Sequence, residues 1–469
     1  MEKQRLHFLV ATFPFQGHIN PALHLAKRLA LNTGSDVTFS STVSAHRRMF
    51  PSLSETGSLE TKDELITYIP FSDGHDDDKS GKAHEFNEYM SDFNRIGSQT
   101  LSEVIGKLAS SGRPVSCIIY TILLPWAADV AQDHNIPSAL YWIQPATVLA
   151  IYYHYFNGYG DAVKSNHNDL SYVVELPGLP PYKIKDLPNF LTQAFQEDDT
   201  FHSVYLSFSQ LFQSLLKQRT DKSKPIVLIS TFSALESKEL AILTELEMLP
   251  IGPSMPLMID QDSESGNGGS LFRHDEKGYL EWLDSKPEQS VVYVSFGSLA
   301  NVKKEQLEEL LNALEGSGKP YIWVVRKDNR LEGVDFEYVK NGMVVEWCNQ
   351  VKVLSHSSVG CFVTHCGWNS VSESIACGVV MVAAPRMSDQ TMNARLIEEV
   401  WGVGVRAEIG EDGVLEKKEL MRCLDLVMGD GEAAAQMRKM AVFWKEKAGE
   451  ATCKDGLSDR NLMAFVNNI

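Results

Sequence analysis

The sequence predicts an α/β protein made of two doubly wound halves. Three observations carry that expectation. Short apolar runs alternate with helix-like segments along most of the chain, the pattern of βαβ units on a mostly parallel sheet. The alternation is broken once, at IGPSMPLMIDQDSESGNGGS (251–270), where Pro, Ser, Gly and Asp cluster without periodicity, as in a linker. The length, 469 residues, suits two or three domains at roughly 150 residues each. The expected division is an N-terminal domain at 1–250, a linker at 251–270 and a C-terminal domain at 271–448, with both domains Rossmann-like and a cleft between their facing carboxyl edges.

Each element has its own reason. Leu6–Phe13 is apolar, bounded and short enough for a buried strand. A loop carrying His18 follows it. Asn20 and Pro21 then read as N-cap and first residue of a helix. In that helix Ala22, Leu25, Ala26 and Leu29 share one face, with Lys27 and Arg28 off it. Val37–Ser40 reads as a strand, Ser98–Ala109 as a helix, Val115–Tyr120 as a strand, Ala127–His134 as a helix and Ser138–Trp142 as a strand. Residues 157–200, rich in Asn, Asp, Pro and Gly, read as irregular, and a strand at Ile226–Thr231 closes the half. After the linker come a strand at 290–298, a helix at Lys304–Glu315, strands at 321–326, 343–347 and 361–366, a helix from about Ser370 and a strand at 380–385.

Bulk properties narrow the function. The formal net charge is −18, which argues against nucleic acid or an anionic membrane as partner, since both need basic patches. Seven cysteines, an odd number with no C-x-x-C pair, argue against a disulfide framework and for a reducing compartment. The opening MEKQRLHFLVATF runs straight into a strand without a signal-peptide layout, so the cytoplasm is the expected location. The apolar stretch at 117–128 is too short to span a bilayer; the one at 138–156 is broken by Gln144, Pro145 and His154, and both read as core.

Two places carry chemistry. His18 lies at the carboxyl end of the first strand, where open parallel sheets bind ligands, although a histidine there could equally hold the loop. The second place is Trp347 to Gln390. There CFVTHC reads as a buried strand, GWNS turns the chain, and a helix begins. A helix N-terminus offers backbone N–H groups and about +0.5 elementary charge, a ready phosphate site. Gly367 allows close approach, and His365, Asn369 and Ser370 can add donors. SFGS places Gly297 and Ser298 at another strand end, and Trp347 offers a flat face for a base. Other readings stand beside these: Ser370-x-x-Glu373 is also a capping box, and Trp347 could be core. His356, Cys361, His365 and Cys366 match no zinc spacing, so no metal is expected. No G-x-G-x-x-G follows the first strand, which disfavours a dinucleotide dehydrogenase.

The 347–390 block resembles the sugar-nucleotide box of plant family-1 UDP-glycosyltransferases: it begins with Trp, contains HCGWNS and ends in DQ. FPFQGHINP, PWAADVA, SFGS and SDRNLMAFV are similar to the same family, so the resemblance spans nearly the whole chain. It implies a GT-B fold, with donor in the C-terminal half, acceptor in the N-terminal half, and a C-terminal helix at about 449–469 packed back on the N-terminal domain. It implies that Trp347 stacks on uracil, that Gln350 and Glu373 hold the ribose, that Ser298, His365, Asn369 and Ser370 hold the diphosphate, and that Trp368, Asp389 and Gln390 hold the sugar. The terminal Gln390 is associated with UDP-glucose as donor.

The same resemblance makes His18 the general base of an inverting transfer, without metal or other cofactor. Most members pair that histidine with an aspartate. Here CIIYTILLPW places Thr121 at that position, a side chain that hydrogen-bonds but carries no charge. His18 is therefore expected to stay neutral at pH 7, and acidic acceptors, phenolic or carboxylic, to be tolerated best. YTILLPWAA and LYWIQPATV further resemble the branch with anthocyanin 5-O-glucosyltransferases and enzymes that make glucose esters. Phe13, Phe15, Gln16, Trp142, Gln144, Tyr152, Phe190, Phe195 and Met387 form the expected acceptor pocket, an aromatic set suited to planar phenolics, with core packing the alternative for each. The resulting expectation is O-glucosylation of small hydrophobic phenolics such as flavonoids and stilbenoids, by a monomer whose only partners are UDP-glucose and the acceptor. Glucose-ester formation on plant carboxylic acids comes second. A catalytically weakened UDP-sugar-binding protein and a UDP-sugar epimerase, which would need no acceptor, are the alternatives from other classes.

Overall fold

The computed structural model describes residues 5–469 except 52–58, 78–85, 198, 200, 220–222, 257–276, 298–302, 331–333, 335, 337–338 and 411. Residues 257–270 of the expected linker, and Ser298, lie outside the described residues. The chain divides into two compact units, residues 1–272 with 451–469, and residues 273–450.

The first unit holds an eight-stranded sheet in the order β10-β9-β6-β5-β1-β2-β4-β3. Its strands are β1 (His7–Ala11), β2 (Asp36–Ser40), β3 (Thr61–Lys62), β4 (Thr67–Tyr68), β5 (Cys117–Thr121), β6 (Ser138–Trp142), β9 (Ile226–Ile229) and β10 (Glu247–Pro250). All pairings are parallel except β3 with β4. The central strands HFLVA and CIIYT are buried at every position, as strands covered on both faces must be. From β1 the chain winds outward through β2, then returns to the other side of β1 at β5. The order reverses between β1 and β5, and ligands of doubly wound sheets bind outside such a reversal, at the carboxyl ends. Ala11 pairs with Tyr120, so Thr12 and Thr121 follow side by side, with their hydroxyls 3.1 Å apart.

The second unit repeats the design. Its six strands are β11 (Val291–Ser295), β12 (Tyr321–Val324), β13 (Gly342–Val345), β14 (Val359–Thr364), β15 (Val380–Ala383) and β16 (Gly404–Arg406), ordered β13-β12-β11-β14-β15-β16 and all parallel. Here the order reverses between β11 and β14. Ser295 pairs with Thr364, so Gly297 and His365 emerge together at that point.

Several expectations need correction. The first helix runs Gln16–Thr33, with Phe15 as N-cap (φ −94°, ψ 145°), so His18 sits in its first turn and not in a loop. Pro21 lies inside the helix, where its fixed φ is helical and only one ladder hydrogen bond is forgone. The helix expected from Ser98 begins at Phe86 and runs to Ser110, because Met90, Phe93 and Gly97 continue the buried face of Leu101, Val104 and Leu108 upstream. The stretch 157–200 carries a short helix (Gly160–Ser165), an antiparallel pair β7 (Val173–Val174) and β8 (Tyr182–Lys183), and a turn of helix at Phe190–Gln193. The two-residue strands escape sequence reading because alternation cannot register in two residues.

The single C-terminal helix expected at about 449–469 is instead the end of one helix, Glu432–Thr452, and a second, Leu457–Asn467. Asp455 in the left-handed region (φ 64°) and Gly456 as N-cap separate them. The second helix docks on the first unit: Ser458 Oγ donates to the Gly252 carbonyl (2.6 Å) and Asn461 Nδ2 to the Pro250 carbonyl (2.8 Å). Among the described residues, no helix is long and apolar enough to cross a membrane.

The apolar segment at 138–156 becomes β6 and the helix Ala146–His154, which is buried all round. A distant carboxylate holds its N-terminus. Glu236, 2% exposed, accepts from the Ala146 N–H (2.9 Å), the Thr147 N–H (2.9 Å) and the Thr147 hydroxyl (2.8 Å). Glu236→Ala should therefore strand two helix-start donors in the core. At about 1–3 kcal/mol per buried unsatisfied group, a loss of roughly 2–5 kcal/mol is expected in urea unfolding, with a smaller loss in Glu236→Gln.

Candidate active site

In the first unit His18 is half-buried, and its Nδ1 is buried without a hydrogen-bond partner. Burial pushes its pKa down to about 3, further than the absence of a carboxylate alone would suggest. The imidazole is neutral throughout the physiological range. Thr121 is fully buried, and its hydroxyl bonds to Thr12. An uncharged pair of threonines thus occupies the end of β5 where a carboxylate would stabilise an imidazolium.

An aromatic belt surrounds this point. Phe13 meets His18 at 5.4 Å, Phe15 at 4.7 Å and Phe93 at 4.9 Å between ring centroids. Phe15 faces Phe86, Phe86 meets Phe201 at 5.7 Å, and Phe201 meets Phe190 at 5.7 Å. Phe15, Gln16, Phe190 and Phe195 are part-exposed, though Phe195 packs on His167. Phe13, Trp142 and Tyr152 are buried, as the core-packing alternative has them: Trp142 donates to the Pro145 carbonyl (3.0 Å), and Tyr152 stacks on Phe208 at 4.3 Å. Gln144, 6% exposed, keeps its Oε1 buried without a partner. Phe86, Tyr89, Phe93 and Phe201 were missed by sequence reading; the first three stand at helical spacing, the signal that would have extended their helix.

In the second unit two glycines press against one histidine. Gly297 has φ +77°, and a Cβ there would lie 2.6 Å from His365 Nε2; a Cβ on Gly367 would also lie 2.6 Å from it. Burial, then the Arg386 guanidinium, lowers the His365 pKa to about 4, so this ring is neutral too. The helix Trp368–Cys377 starts from Gly367 as N-cap, with no side-chain cap. This removes the capping-box reading of Ser370 and Glu373. Gln350 binds both instead, its Nε2 donating to Ser370 Oγ (3.0 Å) and to Glu373 Oε2 (2.7 Å). Its Oε1 accepts from the Tyr293 hydroxyl (3.1 Å).

Burial raises the Glu373 pKa to about 7 and that of Asp389 to about 6. Asp389 Oδ2 accepts from Asn393 (2.6 Å), which also donates to the Cys366 carbonyl (2.9 Å). Gln390 Oε1 takes the N–H groups of Arg386 (2.9 Å) and Met387 (3.0 Å), leaving its NH2 as donor. Trp347 and Asn369 are part-exposed, whereas the Trp368 indole is buried against Trp401 at 5.8 Å. His356 is engaged by Ser358 and Asp284, apart from the cysteines.

A family model described as UDP-glucoronosyl and UDP-glucosyl transferase matches residues 177–464. The chain belongs to this UDP-glycosyltransferase family. Crocetin glucosyltransferase, chloroplastic, of Gardenia jasminoides is 45% identical over 99% of this chain and 98% of its own length. Phloretin 4'-O-glucosyltransferase of Malus domestica is 43% identical over 98% and 97%. Among solved structures, Os79 from O. sativa in complex with UDP superposes with a TM-score of 0.83 at 31% identity, covering 98% of this chain and 99% of that one. The fold is thus the GT-B fold of family-1 UDP-glycosyltransferases, and the protein is an enzyme of that family.

Gly297→Ala gives a direct check on the glycine–histidine contact in this UDP-glycosyltransferase. The left-handed backbone alone costs about 1–2 kcal/mol for a residue with a Cβ. The added methyl must also displace His365. Thermal unfolding should fall accordingly, and affinity for UDP, measured by calorimetry, should drop well beyond what the stability loss accounts for.

Proposed function

We propose that this enzyme transfers glucose from UDP-glucose, with inversion, to a phenolic hydroxyl of a small hydrophobic plant phenolic such as a flavonoid or stilbenoid. The observation that carries the reading is the neutral His18 with its free Nδ1 beside an aromatic belt at the first sheet's reversal point. A relative named for phloretin supports a phenolic acceptor. In this reading the acceptor lies among Phe15, Gln16, Phe190 and their aromatic neighbours, and the orphaned Gln144 Oε1 accepts one of its hydroxyl protons.

On the donor side Trp347 stacks on the uracil. Glu373 and Gln350 hold the ribose. His365, Asn369, Ser370, Ser298 and the Trp368–Cys377 helix N-terminus hold the diphosphate, while Asp389, the Gln390 NH2 and the Trp368 backbone hold the glucose. His18 takes the acceptor proton as its oxygen attacks the anomeric carbon, and UDP leaves toward the helix N-terminus. No metal is assigned a part. The enzyme is read as cytoplasmic and monomeric, with UDP-glucose and the acceptor as its partners; an odd number of cysteines without a C-x-x-C pair suits a reducing compartment.

A second reading, glucose-ester formation, is favoured by the Thr12–Thr121 pair and by the crocetin relative. With no carboxylate beside it, the imidazolium formed during proton transfer is poorly stabilised, so acceptors that ionise easily gain most. Both readings are checked by UDP release with phenols, aromatic acids and aliphatic alcohols as separate acceptors. His18→Ala should lower turnover of phenols by about 10²–10⁴-fold and spare pre-ionised carboxylates. Thr121→Asp should raise turnover of the least acidic acceptors most. Unchanged rates for phenols and acids in Thr121→Asp would refute the dependence on acceptor acidity.

Glu373 predicts a pH effect on the donor. Its pKa in the folded protein is raised to about 7, and the ionised form is the better acceptor for ribose hydroxyls. As pH falls through 7 the carboxylate takes a proton, so KM for UDP-glucose should rise toward acid, several-fold between roughly pH 8 and 6. Glu373→Gln should show a high KM without that acid limb.

A further inference from the structure

Tyr293 belongs to no role assigned so far. It lies in the middle of β11, 1% exposed, stacked on Phe362 of β14 with centroids 4.7 Å apart. Its ring would complete the core equally well as phenylalanine. Its hydroxyl nevertheless sits in a set of buried polar contacts that ends at the ribose-binding pair. Cys348 Sγ donates to the Tyr293 oxygen (3.5 Å), the Tyr293 hydroxyl donates to Gln350 Oε1 (3.1 Å), and Gln350 Nε2 donates to Ser370 Oγ and Glu373 Oε2.

A carboxamide can present its oxygen or its NH2 to a neighbour by turning over. Next to the Glu373 carboxylate the two choices differ in sign: the NH2 attracts it and the oxygen repels it. Ser370 cannot decide the matter, because a hydroxyl donates or accepts as required. Tyr293 carries a hydroxyl too, but its oxygen already accepts from Cys348 Sγ and its proton goes to Gln350 Oε1; turning the carboxamide over would set a second donor against that oxygen and take away the acceptor of its proton.

We propose that Tyr293 is a positioning residue for nucleotide-sugar binding: its hydroxyl locks the Gln350 carboxamide so that the NH2 faces Glu373 and Ser370. The inference rests on the reading of Gln350 and Glu373 as the ribose-binding pair. The lock holds one Glu373 oxygen in place, orients the carboxylate and favours its ionised form. The titratable groups set against Glu373 are Tyr293 and Cys377; burial raises both, Cys377 to about 11, so both keep their protons while Glu373 titrates.

The test is Tyr293→Phe, which keeps the stacked ring and removes only the hydroxyl. KM for UDP-glucose at pH 7.5 should rise about 3–10-fold with kcat nearly unchanged, and the acid limb of the KM profile should move to higher pH. A purely structural role would lower thermal stability without moving that limb. In a Gln350→Ala background the Tyr293→Phe effect on KM should vanish, because the group being oriented is gone. Cys348→Ala should leave the limb in place. A Tyr293→Phe enzyme with wild-type KM and an unmoved limb overturns the proposal while leaving the ribose reading intact. A wild-type enzyme whose KM shows no limb dependent on Glu373 overturns both.

Discussion

Each parallel sheet in this protein reverses its strand order beside its first strand, and the rest of the chemistry depends on that constraint. At β1/β5 and at β11/β14 the connections leave in opposite directions, and ligands of doubly wound sheets bind outside the carboxyl ends at such a reversal. Residues that follow them, Thr12 to His18 and Thr121 in one unit, Gly297 and His365 in the other, are brought together by register alone. Short side chains and glycines stand where the backbones approach. The same topology recurs in both units, and in the proposed reading one reversal receives the acceptor and the other the nucleotide sugar.

The two sites treat charge differently. Around His18 the ring itself is neutral and Thr121 bonds to Thr12, and charge enters through the Arg48 guanidinium on the Pro14 carbonyl and the Asp73 carboxylate on the Tyr89 hydroxyl. In the proposed reading a proton is moved there most easily from an acceptor that gives it up readily. The donor site holds two buried carboxylates, Glu373 and Asp389, whose raised pKa values record the cost of desolvating them. Nothing about the net charge of −18 favours an anionic ligand. In the proposed reading the diphosphate is held by local means, the helix start at Gly367 and donors around it, against a net negative charge.

Polar groups inside the core do the positioning. Glu236 ties the start of the Ala146–His154 helix from ninety residues away, fixing the turn that bears Gln144. Tyr293 touches Gln350 across fifty-seven residues. A buried donor left without an acceptor costs more than a made bond gains, so such contacts narrow the arrangements available to the side chains they hold.

The sequence by itself determined what is contiguous. The alternation of strands and helices, the HCGWNS turn, SFGS, His18 after β1 and Thr121 at the end of CIIYT were all legible, because each is a local pattern with a local cause. Element ends were less so: Phe15, not Asn20, caps the first helix, and Gly367, not Ser370, caps the donor helix, since several nearby residues could serve and packing selects among them. Trp142 and Tyr152 look alike in sequence to pocket residues; a strand or helix apolar throughout does not say which face meets solvent, and here neither β6 from Ala139 to Trp142 nor the Ala146–His154 helix exposes one. The Thr12–Thr121 bond, the pressure of Gly297 and Gly367 on His365, and the Tyr293–Gln350–Glu373 contacts were decided only by tertiary structure, because each joins residues far apart in the chain through register and burial, which exist only once the sheets have formed.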